Sequence, residues 1–149
     1  FGMAFAKSQI AASNSLPTKG LAFISLKNSH KKEGVGLARQ LLKLNFTLCG
    51  TGGTAAFINR HGMKCKKINK VSGGSPHIVD VLNSKKIALV INTGGGNSEQ
   101  KLNDAMALRR ATLVNKVPYC TNMSTAYVCL EGIKSLKTKK ITVTSLQDI

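Results

Sequence analysis

The stretch Thr51-Gly-Gly-Thr54 combines residue types that are suited to binding phosphate. The apolar residues 46–49 before it predict a buried strand, and residues 54–60 predict a helix that begins at Thr54. Glycines in the turn let the main chain approach a ligand closely. Free N–H groups and the helix dipole at such a turn attract anions. The pattern therefore predicts an anion site, although a strand-to-helix turn that binds nothing would have the same short sequence.

The charge of the chain is strongly asymmetric. It carries 22 Lys and Arg against 6 Asp and Glu, a formal net charge of +16 over 149 residues. Such a field attracts nucleic acid or small phosphorylated and carboxylated ligands. Aromatic residues, which would stack on bases, make up only 5% and Trp is absent, so nucleic acid is the less favoured partner. A basic proteome, in which most surface lysines have no role, is a third interpretation.

Composition also limits the class of protein. The hydrophobic fraction of 42% is typical of one folded domain, and no apolar run approaches the ~20 residues that span a bilayer. Four cysteines lack any CxxC pairing, which argues against a zinc site and favours buried, reduced thiols. These features predict a cytoplasmic protein without a membrane partner and without a metal site.

The order of apolar and polar segments predicts the architecture. Residues 1–19 are expected to be the end of a preceding helix and a linker, as in a fragment of a longer polypeptide, and residues 20–149 to form one domain. Strands are predicted at residues 21–26, 46–49, 63–69, 86–93 and 117–121, helices at residues 34–44, 54–60, 76–83, 99–115 and 124–136, and an added edge strand at 141–144. This alternation predicts a parallel sheet with helices on both faces.

Five segments meet at one rim of such a sheet, because its ligands bind beyond the carboxyl ends of the strands. They are Ser25 and residues 27–31, 51–54, 69–70 and 92–97. They supply hydroxyls, amides, glycines and lysines, but no carboxylate occurs on the rim before Asp104. The three histidines are not at ligand spacing, and no Ser-His-Asp or Cys-His arrangement is visible. The rim therefore predicts anion binding without catalysis.

Six short motifs follow one another in a specific order. They are Phe-Ala-Lys-Ser-Gln (5–9), Thr-Gly-Gly-Thr-Ala (51–55), Ile-Asn-Lys-Val (68–71), Pro-His-Ile-Val-Asp (76–80), Val-Ile-Asn-Thr (90–93) and Leu-Arg-Arg (108–110). With them, the chain resembles the carboxy-terminal regulatory domain of the carbamoyl-phosphate synthetase large subunit, which has the methylglyoxal synthase-like fold. The resemblance implies a three-layer α/β/α sandwich around a mostly parallel five-stranded sheet.

The resemblance also implies an allosteric role and a ligand. Bacterial relatives bind a nucleoside monophosphate such as UMP or IMP on this rim, with lysines neutralising the phosphate and hydroxyls binding its oxygens. The positions carried over are Ser25, Lys31, Thr51, Gly52, Gly53, Thr54, Lys70, Asn92, Thr93 and Asp104. Residues 94–96 are all glycine where those relatives often have hydroxyls and Arg, so the identity of the effector stays open. A carboxylate such as acetylglutamate is the other choice.

Partners follow from the same resemblance. It implies the synthetase halves of a glutamine-hydrolysing, ATP-dependent ligase that makes carbamoyl phosphate for pyrimidine and arginine biosynthesis. ATP with Mg or Mn would bind in those halves, with no cofactor in this chain, and a small glutaminase subunit and a homo-oligomer are further expected partners. The alternatives are a methylglyoxal synthase-type lyase acting on dihydroxyacetone phosphate and a basic nucleic-acid-binding domain. The lyase needs aspartates where this chain has Ser75, Asn92 and Thr93.

Overall fold

A computed structural model describes residues 16–71, 74, 77–94 and 98–147, with the backbone alone beyond residue 138. The strands are β1 (Gly20–Ser25), β2 (Phe46–Gly50), β3 (Cys65–Lys67), β4 (Ile87–Asn92) and β5 (Tyr119–Cys120). The helices are α1 (Lys31–Lys43), α2 (Gly52–Arg60), α3 (Ile78–Asn83), α4 (Glu99–Val114) and α5 (Met123–Gln147), and a 3-10 turn spans Asn28–His30. Strands and helices therefore alternate along the chain, as the sequence predicts.

The five strands form one sheet in the order β3-β2-β1-β4-β5. Every pair is parallel, so the prediction of a mostly parallel five-stranded sheet is confirmed. β1 is central and pairs with both β2 and β4, while β3 and β5 form the edges. The carboxyl ends of all five strands consequently lie along the same edge of the sheet.

Two hydrophobic clusters lie on opposite faces of this sheet. Ala22 and Ile24 of β1 join a cluster with buried residues of α1, α2 and α5. Phe23, between them in sequence, joins a second cluster with Ile78 of α3 and Leu108 of α4. Because successive side chains of a strand point to opposite faces, this division places helices on both sides. The predicted three-layer α/β/α sandwich is confirmed.

Several predicted element bounds need correction. α2 begins at Gly52 and not at Thr54, because the glycines continue the helix and Thr51 takes the extended N-cap conformation. α1 begins at Lys31 and not at residue 34, with Lys32 and Glu33 on its exposed side. α3 begins at Ile78, whereas the sequence predicted a start at residue 76, which lies outside the described residues.

The predicted edge strand at residues 141–144 is wrong. α5 runs without interruption from Met123 to Gln147, so these residues are helical. Their β-branched side chains favour strands only weakly, and extending an existing helix by one residue adds a hydrogen bond at little cost. The longer helix therefore overrides the local preference for a strand.

The start of the chain and its cysteines give two further results. Leu16, in the predicted linker, is buried in the first cluster, so part of that linker packs on the domain; residues 1–15 lie outside the described part. All four cysteines are buried and free, as predicted. No helix of the described residues is long and apolar enough to cross a membrane.

Candidate functional site

A cleft of about 690 Å³ opens at the carboxyl ends of β1, β2 and β4. The first turn of α2, the loop after β3 and the first turns of α4 complete its walls. Nine of the ten residues predicted from the sequence line it, namely Ser25, Lys31, Thr51, Gly52, Gly53, Thr54, Lys70, Asn92 and Asp104. The topology thus brings together residues that are widely separated in sequence. Their binding of an effector stays a prediction.

The N-terminus of α2 forms one wall of the cleft. Thr51 is the N-cap residue, and its side chain makes no capping hydrogen bond to the helix. The first intrahelical bond runs from the N–H of Ala55 to the carbonyl oxygen of Thr51, at 2.8 Å. The N–H groups of the preceding turn come too early to have such an acceptor, so they and the helix dipole favour an anion here.

The hydroxyl groups of the cleft differ in what they contact. Ser25 Oγ and Thr51 Oγ1 lie 3.2 Å apart, and both residues are half-buried. Thr54 Oγ1 instead accepts a hydrogen bond from the N–H of Leu26 at 3.0 Å, and its residue is only 2% exposed. Thr54 therefore joins α2 to the end of β1, which leaves Thr51 and Ser25 as the accessible hydroxyls.

Two lysines reach the N-terminus of α2. A Cβ built on Gly53 would lie 2.9 Å from Lys31 Nζ, and one built on Gly52 would lie 3.2 Å from Lys67 Cε. Lys31 Nζ also donates a hydrogen bond to Asn28 Oδ1 at 2.7 Å. Any side chain at these two glycines would compete for space with the lysine side chains. The glycine pair is therefore suited to placing cations beside the helix terminus.

Sequence reasoning did not select Lys67. It placed the end of the third strand at residue 69, whereas β3 ends at Lys67. The same rule about carboxyl ends would have found Lys67 if the strand end had been known. The end of β3 was misplaced because β3 is an edge strand with two exposed lysines, so its sequence gives only a weak strand signal.

Thr93 does not line the cleft, although the resemblance implied a contact with the ligand. Its Oγ1 lies 3.0 Å from His30 Nδ1 and accepts a 3.4 Å hydrogen bond from the N–H of Lys27. Its own N–H donates to the carbonyl oxygen of Ser25 at 2.9 Å. Thr93 thus joins the loop after β1 to the end of β4 and acts as scaffold in this structure.

Asn92 and Gly94, the two neighbours of Thr93, do line the cleft. Asn92 Nδ2 donates to Tyr119 Oη at 3.3 Å, which connects the cleft to β5. A Cβ on Gly94 would lie 3.2 Å from Ser25 Oγ, and the N–H of Gly94 donates to Ser25 O at 3.1 Å. Glycine at this position lets the chain after β4 lie close to Ser25 at the end of β1. The two glycines after it lie outside the described residues.

The cleft has a strong excess of positive charge. Among its described lining residues Asp104 is the one carboxylate, and the lysines are Lys27, Lys31, Lys67, Lys70 and Lys101. A concave surface with one sign of charge concentrates small ligands of the opposite sign. Within the described ranges no group of three or more His, Cys, Asp or Glu is placed to hold a metal ion.

The structure is an α/β/α sandwich with a basic cleft at the carboxyl ends of its strands, and similarities to known proteins agree with this architecture. The family model of the MGS-like domain matches residues 33–121. This chain therefore belongs to the MGS-like domain family. The crystal structure of methylglyoxal synthase from Elizabethkingia anophelis has a similar fold, with a TM-score of 0.58 over 77% of this chain and 79% of the other, at 19% identity.

Individual relatives indicate a narrower group of proteins than the family model does. The chain is 42% identical over its whole length to the carbamoyl phosphate synthase large chain, C-terminal section, of Methanopyrus kandleri, and spans 27% of that protein. It is 41% identical over 99% of its length to the carbamoyl phosphate synthase large chain of Rhizobium meliloti, of which it spans 12%. The relatives are thus several times longer than this chain.

Proposed function

We propose that this chain is the effector-binding regulatory domain of a cytoplasmic, glutamine-hydrolysing carbamoyl phosphate synthase, and that it has no catalytic activity of its own. Its effector would be a small phosphorylated anion such as a nucleoside monophosphate. The observation that carries the proposal is the cleft, whose described lining includes a helix N-terminus, accessible hydroxyls, five lysines and one carboxylate. The relatives support the choice of enzyme, because they are named as carbamoyl phosphate synthase large chains. The enzyme would be an ATP-dependent ligase.

The composition of the cleft favours binding over catalysis. Acid–base catalysis requires titratable groups with separate roles, and a lyase of the methylglyoxal synthase type requires a carboxylate base. Asp104 is the one carboxylate among the described lining residues, and it belongs to α4 and not to the turn before α2. The Thr, Asn and Lys side chains of the cleft bind anions well but are poor bases at neutral pH.

The proposed mechanism is a population shift. An anion in the cleft would contact the ends of β1 and β2 and the first turns of α4 at the same time. A ligand that binds one arrangement of these segments better stabilises that arrangement. The change in the domain would then alter its contact with the synthetase halves and, by linkage, their affinity for ATP.

Calorimetric titration tests the proposal directly. UMP, IMP, inorganic phosphate and acetylglutamate are added separately to this chain and to the double variant Thr51→Val with Lys31→Met. We expect at least one phosphorylated ligand to bind the unchanged chain and the double variant to lose that binding. The control is Lys43→Met, on the exposed end of α1. Absence of binding for all four ligands would contradict an effector site.

An enzyme assay separates the proposal from the lyase. The chain is incubated with dihydroxyacetone phosphate, and methylglyoxal is measured as it forms. We expect no turnover above the spontaneous rate. Turnover that depends on Asp104 would show that the domain is catalytic and would overturn the proposal.

A further inference from the structure

The sequence left open whether the effector carries a phosphate or a carboxylate, and the lysines around α2 bear on that choice. β2 leads into α2 and lies between β1 and β3 in the sheet. Lys31 begins the helix that follows β1, and Lys67 ends β3. The two lysines therefore approach the N-terminus of α2 from the strands on either side of it.

The geometry places both cations at consecutive residues of one helix turn. Lys31 Nζ would lie 2.9 Å from a Cβ on Gly53, and Lys67 Nζ would lie 3.7 Å from a Cβ on Gly52. Gly50, two residues before, is the register partner of Lys67 in the parallel pair. The position of Lys67 is thus fixed by the sheet and does not depend on a surface loop.

Two lysine side chains beside one helix N-terminus favour a bound group with two negative charges. A single cation beside a helix N-terminus suffices for one carboxylate group or one sulfate ester, each of which carries one charge. A phosphate monoester carries close to two charges at neutral pH and three acceptor oxygens. The attraction between full charges grows with the product of the charges, so a second lysine discriminates between these groups.

We propose that Lys67, acting with Lys31, makes the cleft selective for a dianionic phosphate monoester over anions with one charge. Lys67 is a specificity-determining residue for the ligand, because it sets the charge of the group that binds at the N-terminus of α2. This inference rests on the proposed function, because it concerns the same cleft.

The test compares ligands that have the same shape and different charge. Uridine and inosine 5′-monophosphates and the corresponding 5′-sulfate esters, which carry one negative charge, are titrated against the unchanged chain, Lys67→Met and Lys66→Met. Lys66 is the matched control, because it is the exposed neighbour of Lys67 on the same short strand and does not line the cleft. Far-ultraviolet circular dichroism establishes that all three proteins are folded alike.

We expect the unchanged chain to prefer the phosphate ester to the sulfate ester by about tenfold or more. Lys67→Met should reduce this preference about tenfold, whereas Lys66→Met should leave it unchanged. A role of Lys67 in folding alone would lower both affinities equally, so an unchanged ratio in Lys67→Met would overturn the inference.

The same experiment distinguishes failure of the inference from failure of the proposed function. If nucleoside phosphates bind the unchanged chain and Lys67→Met keeps the full preference for the phosphate ester, the effector site stands and the role of Lys67 falls. If the sulfate ester binds the unchanged chain as tightly as the phosphate ester, dianion selectivity is wrong. If neither phosphate nor sulfate esters bind, both proposals fail.

Discussion

Two threonines three residues apart have different functions in this domain. Thr51 lies at the cleft with its hydroxyl near Ser25, whereas the Thr54 hydroxyl accepts a hydrogen bond from the buried N–H of Leu26. Their sequence environments are alike, since each neighbours the glycine pair of the same turn. The difference arises from the helix, because residues at its N-cap and its third position point in different directions.

Substitution of each threonine by valine separates the two functions. Thr54→Val should lower the free energy of unfolding by about 1–3 kcal/mol, because the N–H of Leu26 is left buried without its acceptor. Thr51→Val should change that free energy by less than about 0.5 kcal/mol and weaken binding of a nucleoside phosphate about tenfold or more. Urea unfolding and calorimetry measure the two quantities. Equal losses of stability in both variants would contradict the assignment.

A buried thiol predicts how stability depends on pH. Burial, with a smaller contribution from Cys65, raises the pKa of Cys49 from 9.0 to about 12, and burial raises the pKa of Cys65 to about 11. Below pH 9 these thiols are neutral in the folded and the unfolded chain, so their burial contributes fully to the free energy of unfolding. Above pH 9 the unfolded chain ionises first, which favours unfolding.

The free energy of unfolding should therefore fall between pH 9 and pH 11, by about 1.4 kcal/mol per pH unit for each such thiol. Urea unfolding of the unchanged chain and of Cys49→Ala at pH 8, 9, 10 and 11 checks the slope. The variant is expected to be less stable at pH 8 and to lose stability less steeply above pH 9. Lysines titrate in both proteins, so the difference between the slopes isolates Cys49; parallel slopes would argue against its burial as the cause.

At the scale of the element, a glycine that ends β2 and a glycine within α1 differ in the space around them. Gly50 ends β2, and a Cβ there would collide with the carbonyl oxygen of Ile24 in β1. Gly36 lies on the exposed side of α1, where a Cβ would meet nothing within 4 Å. One glycine therefore permits close approach of two strands, and the other only adds flexibility to the unfolded chain.

Alanine at these two positions should shift stability in opposite directions. Gly50→Ala should lower the free energy of unfolding by about 1–3 kcal/mol, because β1 and β2 must separate to admit the methyl group. Gly36→Ala should raise it by about 0.5–1 kcal/mol through better helix propensity. Thermal and urea unfolding measure both. A neutral Gly50→Ala would mean that the sheet yields at this point without cost.

Across the whole molecule, the sheet separates two hydrophobic clusters. Ile133 of α5 lies in one cluster and Ile78 of α3 in the other, and they are 0% and 1% exposed. Residues without shared partners contribute to stability independently. Substitutions in the two clusters should consequently change the free energy of unfolding independently, although the domain unfolds cooperatively.

A double-variant cycle tests this separation. Ile133→Val and Ile78→Val should each lower the free energy of unfolding by about 0.5–1.5 kcal/mol. The double variant should equal their sum within about 0.5 kcal/mol. Urea unfolding of the four proteins at one pH gives the coupling, and a coupling above about 1 kcal/mol would show that strain passes through the sheet.

The sequence predicted the elements that depend on local pattern. Apolar runs such as residues 87–91 and the alternation of strands with helices indicated a parallel sheet covered on both faces, and the structure has it. The same reasoning missed the start of α2 at Gly52 and the continuation of α5 through residues 141–144. In both places local propensity is weak, and the conformation is set by the helix to which the residues belong.

The sequence by itself therefore determined the fold and the approximate place of the cleft. The spacing of apolar residues predicts strands and helices over short stretches of chain, and ligands of a parallel sheet bind beyond the carboxyl ends of its strands. Only the tertiary structure decided which polar groups face that cleft. Lys67 reaches it through the pairing of β3 with β2, while Thr93 and Thr54 are used to hold β1, β4 and α2 together. Those assignments depend on strand register and on contacts between residues far apart in sequence, which no local pattern encodes.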